Sequence, residues 1–280
     1  MAVEIASHLG AEIISVDSMQ VYRGMDIGTA KPTIIERRGI VHHLIDVADP
    51  EDEFTVTEFR RIGRRVIDRS AVPLIITGGS GLHLRSLVDP MSFAPTEPEL
   101  RADLEERPMQ ALVEELVAAD PNASEHVDTA NKRRVVRAVE IYRLTGETPS
   151  ARAATAEADE LKNYVPEVDF TAVGVDPGSV TDDRIERRLN EMRAGGLVEE
   201  VRGLRDRLGR TARLAVGYRE ILEYLEGKVS LDEAFEAISA NTRKLAKKQR
   251  TWFQRDPRIR WIPWIDDEAE RVDRAMEILT

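Results

Sequence analysis

The sequence predicts an α/β protein, a parallel sheet core interrupted by a helical insertion. Three observations carry that reading. Short apolar, β-branched runs alternate with stretches of helical period, an amphipathic helix joins the second run to the third, and residues 97–167 are helix-rich without a convincing strand. The runs EIISVD (12–17), HLIDV (43–47), PLIIT (73–77) and FTAVGV (170–175) read as buried strands, with a weaker one at 260–264. Between the second and third, Phe59, Ile62 and Val66 recur at helical spacing while Arg60, Arg61, Arg64 and Arg65 face away, so the basic run 60–69 reads as a solvated face. Strand–helix–strand implies parallel pairing through a right-handed crossover. The catalytic core is therefore expected in residues 1–96 and 168–280, with 97–167 a separate helical domain. Beyond the insertion, helices are expected at 183–193, 197–208, 218–225 and from 231 to about 254, the last opened by a Ser230/Glu233 capping box.

Composition narrows the function. At 280 residues, 42% hydrophobic and 32% charged, the chain is an ordinary globular protein of about two domains. Its apolar runs are far shorter than the ~20 residues of a membrane span, and no secretory leader is visible, so a cytoplasmic protein is expected. Zero cysteines exclude disulfides, a thiol nucleophile and cysteine-based zinc sites. The net charge of −11 argues against a non-specific coat on nucleic acid but permits a local basic groove.

The start of the chain is unusual. Val3, Ala6 and Leu9 have helical spacing, Gly10 ends the helix, and a buried strand follows directly. In a parallel sheet such a helix is normally the crossover from an earlier strand. The pattern therefore predicts a missing upstream strand in preference to an isolated opening helix.

Two strand ends carry candidate chemistry. Asp17, Ser18, Met19 and Gln20 follow the first strand at its carboxyl end, where open α/β sheets bind ligands. Asp17 there either takes a proton or simply caps the next segment. Gly78-Gly79-Ser80-Gly81 follows the third strand, a turn that presents backbone N–H groups to an anion or merely reverses the chain. No Gly-x-x-x-x-Gly-Lys-Ser/Thr phosphate loop occurs. Residues 241–261 hold eight basic side chains against Asp256, with Arg243, Lys247 and Arg250 along one helix side, and residues 132–143 repeat the theme. A single-sign stripe of this kind points to nucleic acid or polyphosphate. Arg184 and Arg188, four apart, either grip a phosphate or pair with neighbouring acids. The five histidines, at 8, 42, 43, 83 and 126, show no metal spacing and read as structural.

The stretches EIISVDSMQVYRGMDIGTAKP, HHLIDVADP, PLIITGGSGLHLRSL, KRRVVRAVEIYRLTG, RIERRLNEM, LVEEVRGL, AVGYREILEYLEG and TRKLAKKQRTWF, in this order, resemble the bacterial tRNA dimethylallyltransferases, or tRNA isopentenyltransferases. The likeness spans nearly the whole chain. It implies a P-loop-kinase-like parallel sheet core and transfer of a dimethylallyl group from dimethylallyl diphosphate to N6 of the adenine next to the anticodon, giving N6-(dimethylallyl)adenosine. By the same resemblance Asp17 is the catalytic aspartate, Ser80 stands where the family usually has a threonine at the reacting site, and Arg188, with Arg184, binds the diphosphate. The implied tRNA contacts are Asp17, Ser18, Met19, Gln20, Ser80, Arg101, Arg133, Arg134, Val135, Val136, Arg137, Arg213, Thr242, Arg243, Lys244, Leu245, Ala246, Lys247, Lys248 and Gln249.

The family also implies Mg²⁺, a monomer, and partners limited to the tRNA anticodon stem-loop and dimethylallyl diphosphate, with no membrane. One departure stands out. The family opens with a strand and P-loop that hold the diphosphate and its magnesium, whereas this chain begins in the helix after that loop. A start codon assigned too late, a deliberately shortened chain and an inactive homologue are the three readings. The first fits best, because every downstream site position is intact. An anticodon-loop binding protein without chemistry and an adenine-nucleotide prenyltransferase are the alternative functions.

Overall fold

Ile13, Ile14, Ser15 and Val16 are all buried, so β1 (Glu12–Val16) has no solvent face, as expected of a central parallel strand. In the computed structural model, which describes residues 1–280, β1 pairs in parallel with β2 (His42–His43) on one side and β3 (Leu74–Gly78) on the other. β4 (Ala172–Asp176) and β5 (Ile259–Pro263) form a separate two-stranded parallel sheet. The sheet expected from the sequence thus exists in two pieces. No strand of the chain bridges β3 and β4; Ile75, Val173 and Val175 instead pack into the cluster built on Ile5, Ile262, Val272 and Ala275.

The helices of this unit are α1 (Ala2–Leu9), α2 (Ile34–Arg37), α3 (Val56–Arg69) and α4 (Gly81–Val88). Gly10 stops α1 in the left-handed conformation at φ 60°. Two sequence expectations need correction. The run 43–47 is not a strand: β2 is only two residues long, because Leu44 and Asp46 take φ of 62° and 55°, outside any strand geometry. Nor are Arg60 and Arg64 of α3 plainly solvated. They donate to the carbonyls of Ser86 and Leu87 at the end of α4, where orphan carbonyls and the helix dipole favour cations.

The chain divides into two compact units, Met1–Val88 with Asp169–Thr280, and Asp89–Val168. The second unit contains α5 (Pro98–Glu106), α6 (Met109–Ala119), α7 (Ala123–His126), α8 (Lys132–Thr145), α9 (Pro149–Ala153), α10 (Ala156–Lys162) and no strand. Its core is Leu104, Leu112, Leu116, Val135, Val136 and Val139. The first unit is completed by α11 (Thr181–Ala194), α12 (Leu197–Leu204), α13 (Tyr218–Leu225), α14 (Leu231–Phe253) and α15 (Glu268–Leu279). Ser230 and Glu233 form the expected capping box on α14. No helix is long and apolar enough to cross a membrane.

Within the second unit, Glu115 is clamped by Arg143 and Arg107, at 2.7 and 2.6 Å, and chiefly the Arg143 hydrogen bond lowers its carboxyl from 4.5 to about 2. A depressed folded-state carboxylate stabilises above its unfolded value and loses that contribution as pH falls towards its folded one. Glu115→Gln is therefore expected to destabilise by about 1 kcal/mol at pH 7, the value being reduced by solvent screening. Urea melts of the two proteins should converge between pH 4.5 and about 2.

Candidate active site

The register of β1 and β3 sets the site. Val16 lies opposite Gly78, so both strands end level, and the turn after β3 folds back until the Ser80 N–H donates to the Val16 carbonyl at 3.2 Å. Gly78, at φ 152°, makes this approach possible, since a Cβ there would lie 2.2 Å from the Val16 carbonyl oxygen. Asp17 and Ser80 are consequently neighbours at the carboxyl rim of the sheet.

Asp17 caps the local turn through one carboxylate oxygen. Oδ1 accepts from the N–H groups of Met19 and Gln20 at 2.8 and 3.2 Å, a local turn cap. Oδ2 has no partner in the protein. Asp17 lines a cavity of about 280 Å³ together with Ser15, Gln20, Thr77 and Gly78. A larger hollow of about 410 Å³, edged by Asp52, Glu53 and Glu58, shares none of these residues.

Gln20 is a tie and not a free ligand-binding amide. Its Oε1 accepts from Ser15 at 2.9 Å, and its Nε2 donates to the carbonyls of Thr29 and Ala30. The loop so tied is braced further on. Glu200 of α12 accepts from the N–H groups of Asp26, Ile27 and Gly28 at 2.9, 2.7 and 3.1 Å and from the Tyr218 hydroxyl. Burial first, then the Glu200 charge, pushes that phenol far above its ordinary value. Buried Lys31 joins Asp26, Asp46 and the Tyr22 carbonyl. Ser18 and Met19 ride on this braced loop.

Arg188 of α11 is exposed, though neighbouring protein atoms partly desolvate its guanidinium. Its pKa is lowered, first by desolvation, while Asp17 and Glu191 favour its charge. Asp17 and Arg188 are therefore electrostatic neighbours. Arg188 has no hydrogen-bond acceptor in the protein. One turn earlier Arg184 stacks on Trp264 at 3.9 Å, with Arg271 4.0 Å from the same ring. Its pKa is lowered by burial and then by Arg187, Arg271 and Arg188, like charges that leave this region strongly electropositive.

The glycine turn is also seated on α14. A Cβ on Gly79 would lie 2.3 Å from Nε2 of Gln249, and one on Gly81 would lie 2.0 Å from Nε1 of Trp252. Gln249 thus adjoins the Ser80 turn. The basic stripe on α14 differs from its sequence reading, because two members have carboxylate partners. Arg243 bonds Asp182 and Glu186, and Arg250 bonds Asp176. Lys247 and Lys248 are exposed without ion pairs; Lys244 is exposed beside Asn241, Leu245 is exposed, and Thr242 and Ala246 are half-buried. Arg213 is exposed before α13 and donates to the Arg205 carbonyl.

In the second unit Arg133 and Arg134 are exposed and unpaired. Arg101 and Arg137 converge on buried Glu140 at 2.6 and 2.5 Å, and Arg137 also holds the Ala94 and Pro95 carbonyls. Burial would raise the Glu140 pKa, but these bonds outweigh it and the net shift is downward. Val135 and Val136 are core residues, so their side chains are unavailable to RNA. The sequence reading missed His83, whose ring nitrogen lies 2.7 Å from Ser80 Oγ. Its position three residues past the serine, at the start of a helix, was the available signal.

A family model described as IPP transferase matches residues 20–256. The tRNA dimethylallyltransferase of Bifidobacterium longum (strain NCC 2705) is 41% identical over 278 residues, covering 96% of this chain and 81% of the relative. Among solved structures, the tRNA isopentenylpyrophosphate transferase of Bacillus halodurans is 34% identical with a TM-score of 0.71, covering 99% of this chain and 89% of that one. That of Staphylococcus epidermidis is 30% identical with a TM-score of 0.70, covering 99% and 92%. By the extent of these matches, the chain belongs to the IPP transferase family.

Proposed function

We propose that the protein transfers a dimethylallyl group from dimethylallyl diphosphate to N6 of the adenine beside a tRNA anticodon, in the cytoplasm and as a monomer. The observation that carries this is the Asp17 carboxylate, anchored through Oδ1 and open through Oδ2, beside Ser80 and the electropositive Arg188. The adenine amine is a weak nucleophile because its lone pair is delocalised into the ring. As N6 bonds to the allylic carbon, the carbon–oxygen bond breaks and its electron pair leaves on the diphosphate. The N6 proton passes to Asp17 Oδ2. Arg188, with Arg184 behind it, receives the departing negative charge.

A base in an anticodon loop reaches such a rim by leaving its stack. Lys247 and Lys248 in one unit, and Arg133 and Arg134 in the other, are the unpaired cations suited to phosphates. The family's magnesium finds no cage here. No group of three His, Asp or Glu side chains converges to hold the ion.

The test is mass spectrometry of an anticodon stem-loop incubated with the protein and dimethylallyl diphosphate. The stem-loop adenosine is expected to gain one dimethylallyl group, with AMP a poor competitor. Salt-sensitive stem-loop binding without product would make this a binding protein, and prenylated AMP would redirect the reading to free nucleotides.

A further inference from the structure

Ser80 is not a free hydroxyl. Its Oγ lies 2.7 Å from Nδ1 of His83, one turn along α4, and the His83 ring stands edge-on to Phe59 with centroids 4.6 Å apart and planes at 86°. Phe59 is fully buried in α3, so the imidazole packs against a fixed ring and is tethered at one nitrogen. A hydroxyl offers one hydrogen and two lone pairs, and its first partner decides which of them a ligand meets. A neutral imidazole carrying its proton on Nε2 takes the Ser80 hydrogen at Nδ1 and leaves the Oγ lone pairs free to accept. A cationic imidazole donates to Oγ and turns the hydroxyl hydrogen outward.

We infer that His83 is a positioning residue that keeps Ser80 Oγ an acceptor, so that Asp17 Oδ2 and Ser80 Oγ together take the two hydrogens of an exocyclic amine and select adenine against a base bearing a carbonyl there. The inference rests on the proposed transfer to adenine N6. Its physical basis is polarity matching. Inosine would direct its O6 at two acceptors and leave them unpaired, the arrangement that discriminates most strongly.

The surroundings keep His83 neutral. Burial lowers its pKa, and Asp17 alone acts appreciably in the other direction. Three charged groups on the neighbouring elements are engaged elsewhere. Arg60 and Arg64 of α3 bond the Ser86 and Leu87 carbonyls, and Arg85 of α4 acts on Asp256 beyond α14. From α14 the groups at the turn are the uncharged Gln249 and Trp252.

The experiment measures binding of anticodon stem-loops carrying adenosine or inosine at the target position, with ¹⁵N spectra of the histidine side chains. For the unaltered protein, His83 should carry its proton on Nε2 and titrate below an ordinary histidine, and adenosine should be preferred. His83→Phe should cut that preference about tenfold, whereas His83→Asn, whose Oδ1 can stand in for Nδ1, should keep it. Preference should fall in acid for the unaltered protein as His83 protonates, and not for His83→Asn over the same range. A proton on Nδ1, or equal preference in the Phe and unaltered proteins, overturns the inference. If no prenyl transfer occurs yet the adenosine preference responds as described, the transfer reading fails and the role of His83 stands.

Discussion

Asp17→Asn is expected to slow prenyl transfer by about 10²–10⁴-fold, the usual worth of a positioned general base. The reason is that the two carboxylate oxygens do different work. Asparagine keeps an oxygen for the N–H groups of Met19 and Gln20, so the loop retains its turn. Its other atom is an amide nitrogen, which cannot receive the proton lost by the adenine amine. Single-turnover rates at saturating stem-loop isolate the chemical step from product release. Near-normal rates for the variant would remove Asp17 from the base role.

The second large effect is expected at Arg188. Arg188→Ala should lower kcat by about 10²–10³-fold, the loss typical when one stabiliser of a developing anion is removed. Lysine should recover part of it by restoring charge without the planar fork. Stability should change by less than about 0.5 kcal/mol, the range for surface substitutions that break no network, because Arg188 bonds no acceptor in the protein. Thermal melts measured beside the kinetics separate the two contributions. Unchanged kcat in both variants would place the leaving group elsewhere.

Periodicity made the secondary elements readable. The alternation of Phe59, Ile62 and Val66 marks α3, whose buried side it forms with Gly63. Ser230 and Glu233 mark the start of α14, because capping is satisfied within a single turn. The segment 43–47 misled for a related reason. Its composition suits a strand, but the loop 20–31 takes up its neighbours, and the backbone bends at Leu44 and Asp46 to let Asp46 meet Lys31. The basic residues misled in a different way. Charge can be counted along a chain, yet whether Arg243 faces RNA or the Asp182 and Glu186 carboxylates depends on α11 lying against α14.

Sequence alone determined the family, most of the strands and helices, and the residue types at Asp17, Ser80 and Arg188, since each is a matter of residue type at a short-range position. Tertiary structure decided which oxygen of Asp17 is free, that His83 rather than solvent holds Ser80, and that Arg101 and Arg137 are committed to Glu140. Those outcomes are hydrogen-bond assignments between segments brought together by packing, and a donor's choice among acceptors is fixed only once the competing groups share one place.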